Sequence, residues 1–155
     1  MKKTLLFQKL YIYLRILIPI YLFMSVILNI SEAASIAIHS MAIIAKSKEM
    51  LSVNKIAEFT GFSRNHLAKV MQTLVKNKFI KSIRGPKGGF LMDKNSKEIS
   101  LLQIYESIEG VLSCFQCGIK SGVCPFKKCL YGEFPEKFST EFKNYLSETS
   151  LYDIA

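Results

Sequence analysis

Apolar residues recur at helical spacing in the middle of this chain, and serine or glycine separates the repeats. Residues 31–46 place large apolar side chains among small residues, without Gly or Pro, and predict an amphipathic helix with Ser31 as its N-cap. Residues 52–60 predict a second, shorter helix, with Ser52 as N-cap and Gly61 as C-cap. The apolar positions of these helices are Ile36, Met41, Ile43 and Ile44, then Val53, Ile56 and Phe59.

A third helix is predicted from Ser63, its expected N-cap, to about Asn77. Its apolar positions share one face and predict a core stripe of Leu67, Val70, Met71 and Leu74. The opposite face is polar and basic: Arg64, Asn65, His66, Lys69, Gln72, Thr73 and Lys76. Two helices joined by a short glycine-containing turn, the second basic on its outside, are typical of a helix-turn-helix.

Strand-like residues follow this helix directly. Residues 79–84 and 90–92 have strand character, and the glycine-rich residues 85–89 between them predict a hairpin with a basic tip, a wing. An ordinary turn is the alternative for the glycines, whose spacing is not that of a P-loop. The predicted fold class is mainly α with a small β-hairpin: a winged helix-turn-helix domain followed by a long C-terminal dimerisation helix.

Positive charge is concentrated in the same region. The chain has 155 residues and a net charge of +9, and residues 52–97 hold ten Lys or Arg against two acidic residues. This length excludes a multidomain enzyme, and an apolar content of 50% excludes a disordered chain. A solvated surface is one explanation of the charge, but clustering on one segment favours a surface that faces phosphates.

The predicted contacts with double-stranded DNA follow from side-chain chemistry. Arg64, Asn65 and His66, at the start of the third helix, carry donors and acceptors that suit base edges in the major groove. Lysines at positions 69, 76, 81 and 87 suit phosphates, and Arg84 suits a minor groove. The full predicted set is Ser63, Arg64, Asn65, His66, Lys69, Thr73, Lys76, Arg84 and Lys87.

Four cysteines fall within sixteen residues. Cys114, Cys117, Cys124 and Cys129 have the spacing C-x2-C-x6-C-x4-C in a glycine-containing segment. Thiolates clustered in this way favour an iron–sulfur cluster or another soft metal. The spacing is not that of a zinc ribbon, which makes zinc the weaker alternative, and disulfides or unliganded thiols are the others.

Two further helices flank the cysteines. Residues 99–111 predict a supporting helix, and residues 133–146 predict an amphipathic helix with an aromatic stripe. This stripe belongs either to the core or to an interface with a second copy of the chain: Phe134, Phe138, Phe142, Tyr145 and Leu146. The predicted organisation is an apolar extension over 1–27, the DNA-binding domain over 28–98, and the supporting helix, cysteine loop and dimerisation helix over 99–155.

Four segments together resemble the IscR/NsrR-type (Rrf-type) transcriptional regulators over about residues 26–155. They are SEAASIAIH at 31–39, FSRNHL at 62–67, SIRGPKGGF at 82–90 and TSLYDI at 149–154. The resemblance implies a homodimeric, cytoplasmic regulator, commonly a repressor, that binds a pseudo-palindromic operator. It also implies a [2Fe–2S] or [4Fe–4S] cluster held by Cys117, Cys124 and Cys129. His39, from the first helix of the second subunit, and Cys114 compete as the fourth ligand, and a packed histidine without metal is the other interpretation of His39.

The N-terminal residues admit three interpretations. The basic start and the apolar run from Ile16 to Leu28 are compatible with a secretory signal or a membrane anchor. The resemblance favours Met24 as the true initiator, so we expect a membrane role to be unlikely. A secreted or anchored disulfide protein is the rival class, and a regulator with thiol oxidation or zinc in place of a cluster is the closer alternative. An enzyme is not expected, because the chain has only two histidines, no nucleophile–base pair and no sign of a small-molecule substrate.

Overall fold

The computed structural model describes residues 30–85, 88–113 and 125–155, and in these ranges the chain forms six α-helices and one antiparallel hairpin. The predicted fold class, mainly α with a small β-hairpin, is confirmed. The elements are α1 (Glu32–Lys46), α2 (Val53–Thr60), α3 (Arg64–Lys76), β1 (Ile80–Ile83), β2 (Gly89–Met92), a 3₁₀ turn (Ser96–Glu98), α4 (Leu101–Glu109), α5 (Phe134–Glu148) and α6 (Leu151–Ile154).

Helix α1 lies at the centre and packs against α2, α3, α4, α6 and β2. Small residues such as Ala34, Ala37 and Ser40 line its buried face, so neighbouring helices approach closely. Ile36, Met41 and Ile44 fill the remaining space and are at most 2% exposed. The predicted N-cap is confirmed, because the Ser31 hydroxyl accepts a hydrogen bond from the Ala34 amide at 3.0 Å.

Helices α2 and α3 form the predicted helix-turn-helix. The Ser52 hydroxyl accepts from the Lys55 amide, and Gly61 closes α2 in the left-handed conformation with φ of 73°. Both predicted caps are therefore confirmed. On α3 the predicted stripe is the buried face: Leu67, Val70, Met71 and Leu74 are at most 4% exposed.

The hairpin is the predicted wing, and a third backbone segment joins it. Ile80 pairs with Met92 and Ile83 with Gly89 across the two strands. Leu51, between α1 and α2, forms an antiparallel bridge with Phe90: each amide donates to the other's carbonyl, at 3.1 and 2.9 Å. The wing is thus bonded to the start of the helix-turn-helix.

The C-terminal elements cover the far side of α1. A capping box at Ser100 starts α4 two residues later than the predicted boundary, and the preceding Ile99 is fully buried. Backbone bonds join this segment to the C-terminus, because the Leu101 amide donates to Thr149 O and the Leu151 amide to Ile99 O. Helix α5 runs two residues beyond the predicted end at Leu146.

Residues Ser31–Ala155 form one compact unit. The finer division at residues 98 and 99 stays a prediction. Within the described ranges, no helix combines the length and the apolar composition that a bilayer span requires.

One buried hydroxyl lacks a partner. Ser40 on α1 is fully buried, and in the described part of the chain its Oγ has no hydrogen-bond partner. Leaving a buried hydroxyl unpaired costs free energy, and alanine also has the higher helix propensity. We expect Ser40→Ala to raise the free energy of unfolding by about 1 kcal/mol in urea denaturation of the full chain.

Ser107→Ala is the matched control, because the Ser107 hydroxyl donates to Ile104 O at 2.7 Å from a half-buried position on α4. This variant should gain less than Ser40→Ala. A loss of stability in Ser40→Ala would contradict the assignment of an unpaired hydroxyl.

Candidate nucleic-acid interface and metal centre

The outward face of α3 presents the basic side chains predicted to bind DNA. Arg64, Asn65, Lys69 and Lys76 are all exposed, on the side opposite the buried stripe. Among the described residues none of them forms an ion pair. Their donors are therefore free to contact a phosphate or a base edge.

His66 and Thr73 have partners inside the protein. His66 Nδ1 lies 3.4 Å from Glu32 Oε2, in the first turn of α1, and its side chain is 35% exposed. The Thr73 hydroxyl donates to Lys69 O at 3.4 Å on its own helix. The structure thus ties His66 to α1 and leaves Thr73 half-buried, so these two predicted contacts are less available than Arg64 and Asn65.

Ser63 occupies the N-cap position of α3, but the prediction that its hydroxyl caps the helix is wrong. Its side chain makes no capping hydrogen bond and is exposed. The Ser63 carbonyl still accepts from the Leu67 amide at 2.9 Å, so the helix starts where predicted. The first amides of α3 therefore lack a side-chain acceptor from Ser63, and helix N-termini of this kind attract anions.

The hairpin distributes its basic side chains unevenly. Lys81 pairs with Asp93 at 2.5 Å, which engages an ammonium group predicted to bind phosphate. Arg84, at the base of the turn, is exposed. Lys87, at the predicted tip, lies outside the described residues.

Gly89 allows the hairpin to approach the Leu51 segment. A Cβ atom at Gly89 would lie 2.8 Å from the backbone C and O of Leu51, which is too close for any other residue. The next residue, Phe90, is joined to Leu51 by backbone hydrogen bonds on one side and pairs with Ser82 of β1 on the other. Sequence analysis missed this third segment, although the glycine beside an apolar strand residue is a signal of close backbone contact.

Most of the predicted metal ligands cannot be placed. Cys114, Cys117 and Cys124 lie outside the described residues, whereas Cys129 is described and its side chain is exposed. Within the described ranges, no group of three His, Cys, Asp or Glu side chains converges on a common point. The ligand set therefore stays a prediction.

His39, one of the two candidates for the fourth ligand, is exposed on α1. Its Nδ1 lies 2.8 Å from Ser35 O, and because a carbonyl only accepts, Nδ1 donates the proton. The edge of the ring meets Phe62 at a centroid distance of 6.1 Å. Nε2 is then the nitrogen with a free lone pair, which is the arrangement common in metal-binding histidines.

Two side chains hold the segment that leads into the cysteines. The Leu112 amide donates to Glu106 Oε1 at 3.1 Å, and Lys143 Nζ donates to Leu112 O at 3.4 Å. These bonds fix a residue two positions before Cys114 between α4 and α5. Sequence analysis did not predict this role for Glu106 and Lys143, because no local pattern joins residues 31 positions apart.

The aromatic stripe of α5 is divided between core and surface. Leu146 is buried, and Phe142 packs edge-on against Tyr105 at 6.2 Å. Burial raises the pKa of the Tyr105 phenol, and the Glu109 carboxylate raises it further. In contrast, Phe134 is 68% and Tyr145 58% exposed, and Phe138 is stacked on Phe134. One part of the stripe thus packs in the core, and another part leaves exposed apolar surface that suits an interface.

Comparison with known proteins places these features in a family. Residues 30–155 match the family model described as Rrf2, iron-dependent transcriptional regulator. IscR of Photorhabdus laumondii is 27% identical over 99 residues, which are 64% of this chain and 60% of IscR. BadM of Rhodopseudomonas palustris, a putative HTH-type transcriptional regulator, is 40% identical over 65 residues, or 42% of each chain. The chain thus spans no more than about three fifths of these relatives.

Solved structures agree with the fold. CymR, the global cysteine regulator of B. subtilis, matches with a TM-score of 0.70 and 25% identity, over 83% of this chain and 97% of CymR. IscR of T. potens matches with a TM-score of 0.63 and 22% identity, over 81% of this chain and 85% of that one. These relatives are named as regulators, and the prediction that the chain is not an enzyme is confirmed.

The close contact at Gly89 predicts a stability effect. Gly89→Ala would force its Cβ into the Leu51 backbone and should lower the free energy of unfolding by about 1–3 kcal/mol, measured in urea. Ser82→Ala, on the exposed face of β1, should change it by less than about 0.5 kcal/mol. Equal stability of Gly89→Ala and the unmodified chain would show that the wing is not held by this contact.

Proposed function

This chain belongs to the Rrf2 family of iron-dependent transcriptional regulators, and from that premise we propose that it represses transcription by binding double-stranded DNA through α3 and the hairpin. The observation that carries the proposal is the two-sided character of α3. Its apolar stripe is buried, while Arg64, Asn65, Lys69 and Lys76 project outward without ion-pair partners in the described structure.

In this proposal Arg64 and Asn65 discriminate between bases. They lie in the first turn of α3, which is the part of a recognition helix that reaches base edges in the major groove. The α3 amides that Ser63 leaves uncapped bind a phosphate at the same end. Lys69 and Lys76 lie further along the outward face and contact the backbone.

A homodimer supplies two recognition helices, one for each half-site of a pseudo-palindromic operator. The exposed part of the α5 stripe supports this role, because Phe134 and Tyr145 leave apolar surface in water. Phe142 and Leu146 do not contribute, since they pack within the protein. Action on DNA also places the protein in the cytoplasm.

Control of binding is assigned to the cysteine loop. Cys117, Cys124 and Cys129 hold an iron–sulfur cluster, with His39 of the second subunit or Cys114 as the fourth ligand. Two described residues support this proposal: the side chain of Cys129 is exposed, and His39 offers Nε2 while Nδ1 donates to Ser35 O. When bound, the cluster supplies a centre sensitive to oxidants, nitric oxide or iron shortage.

The protein's own contacts connect the cysteine loop to the DNA-binding helix. Glu106 and Lys143 hold Leu112 at the entrance of the loop. At the same C-terminal end of α4, Glu109 accepts a hydrogen bond from Ser31, and the residue after Ser31, Glu32, contacts His66 on α3. A displacement of α4 is therefore transmitted to α3 by the residues at the start of α1. In the proposal, the protein has two conformations that differ in these contacts and in their affinity for DNA.

A second candidate keeps the regulator and replaces the cluster with thiol oxidation or a zinc site. The exposure of Cys129 favours the oxidation variant, because accessible thiols react most readily. Metal and sulfide content separates these candidates.

DNA recognition is tested with duplexes that the full chain enriches from a random pool. Arg64→Ala should lower the affinity for the enriched duplex by about tenfold or more and the affinity for a scrambled duplex by less, because it removes a base contact. Lys69→Ala should weaken both duplexes by a similar factor, because phosphates carry no sequence information.

Lys137→Gln on α5 is the control, since Lys137 is exposed and its one ion pair in the described ranges is with Glu133. It should bind both duplexes like the unmodified protein. Unchanged affinity of Arg64→Ala and Lys69→Ala for both duplexes would refute the assigned interface.

The metal proposal is tested by iron, zinc and sulfide analysis of anaerobically purified protein. Iron and sulfide should be present in the unmodified chain and lost in Cys117→Ala, Cys124→Ala and Cys129→Ala. Loss in His39→Ala but not Cys114→Ala identifies His39 as the fourth ligand, and the reverse identifies Cys114. His66→Ala is the matched control and should keep the metal. Iron-free unmodified protein would exclude the cluster, and stoichiometric zinc would establish the zinc alternative.

A further inference from the structure

A groove opens where α1 ends and the helix-turn-helix begins. Its volume is about 630 Å³, and it is widely open to solvent on its outer side. The C-terminal end of α1, the connecting residues Ser47–Leu51 and one face of α2 form its walls. None of its lining residues belongs to α3, α4 or α5.

The floor of the groove is apolar. Ile43, Leu51 and Phe59 line it, and Phe59 is 64% exposed although the helical pattern of α2 places it with the core positions. An aromatic ring left this open to water is a surface that gains free energy when an apolar group covers it.

The rim of the groove is positively charged. Lys46, Lys48 and Lys55 line it together with a single carboxylate, Glu49. In the described part of the chain none of the three lysines is ion-paired. The Ser47 hydroxyl is already used, since it donates to Glu49 O at 2.8 Å. Three of the four charged groups of the rim are therefore ammonium donors.

We propose that this groove binds a small organic carboxylate with an apolar tail, as a regulatory ligand of the protein. The tail covers Phe59 and Ile43, and the carboxylate accepts charge-assisted hydrogen bonds from the lysines of the rim. The apolar floor disfavours a nucleic-acid phosphate as the occupant, because a phosphodiester has no group that covers Phe59. A neutral hydrocarbon leaves the lysines unused.

Leu51 connects the groove to the hairpin. This residue lies on the floor, and its amide and carbonyl both bond to Phe90 in β2. Gly89 packs directly on the same backbone. A ligand that immobilises the Leu51 segment therefore stabilises the hairpin, and this link is independent of whether the protein binds DNA.

Sodium octanoate is the probe, and calorimetric titration of the full chain measures its binding. The comparison ligands are 1-octanol, which has the tail without the charge, and sulfate, which has charge without a tail. Octanoate should bind saturably and about tenfold more tightly than either, since a charge-assisted hydrogen bond and an apolar contact are both needed. Amide hydrogen exchange of Leu51 and Phe90 should slow when octanoate is bound.

Two variants test the assigned residues. Lys46→Gln combined with Lys55→Gln should lower the affinity for octanoate about tenfold, and Phe59→Ser should lower it by a similar factor. Lys137→Gln, on α5 and outside the groove, should leave it unchanged. Both variants replace exposed side chains, so the fold is retained.

Several results would overturn the proposal. They are the absence of saturable octanoate binding, equal affinity for octanol or sulfate, and unchanged exchange at Leu51 and Phe90. Octanoate affinity that falls as protein concentration rises would assign the groove to a second copy of the chain. All measurements are made without DNA, so they succeed or fail separately from the DNA-binding proposal.

Discussion

Burial of the apolar stripe of α3 against α1 is the interaction on which the rest of the structure depends. Each of its four large side chains contributes about 1.5–3 kcal/mol when removed from water. Any rotation of α3 that exposed the stripe would lose this free energy, so the orientation of the helix is fixed. Because Arg64 and Lys69 lie on the opposite face, their projection into solvent is a consequence of core packing rather than of their own interactions.

The same central helix explains why separate regions of the protein can influence one another. Helix α1 contacts α3 through its buried face, and its start joins Glu109 of α4 and His66 of α3. Its C-terminal end leads to Leu51, which is bonded to the hairpin. A change near the cysteine loop and a ligand in the groove would therefore act on different ends of one rigid element. In the two proposals, the first would affect α3 and the second would affect the hairpin.

Local patterns were sufficient to predict five of the six described helices, the hairpin and the caps at Ser31 and Ser52, because periodicity and capping operate within a few residues. The four-residue helix α6 was not predicted, since it is too short to show a period. Tertiary partners were not predictable in this way. The Glu32–His66 and Lys143–Leu112 contacts depend on how distant elements meet. Phe59 shares the period of the core positions but is exposed, since periodicity identifies a face without showing how far the neighbouring helices cover it. The α5 stripe was ambiguous for the same reason, and its two ends have different environments.

The central claim is that the face opposite the buried stripe, together with the hairpin, binds duplex phosphates. The most direct test is the affinity of the full chain for a random-sequence duplex as salt rises from about 50 to about 200 mM. Each phosphate neutralised contributes about −0.9 to the slope of log affinity against log salt. If two subunits each neutralise phosphates with Lys69, Lys76, Arg84 and Lys87, this rise in salt should weaken binding by about a thousandfold or more. Affinity that does not change with salt, or no binding at the lowest salt, would contradict the account.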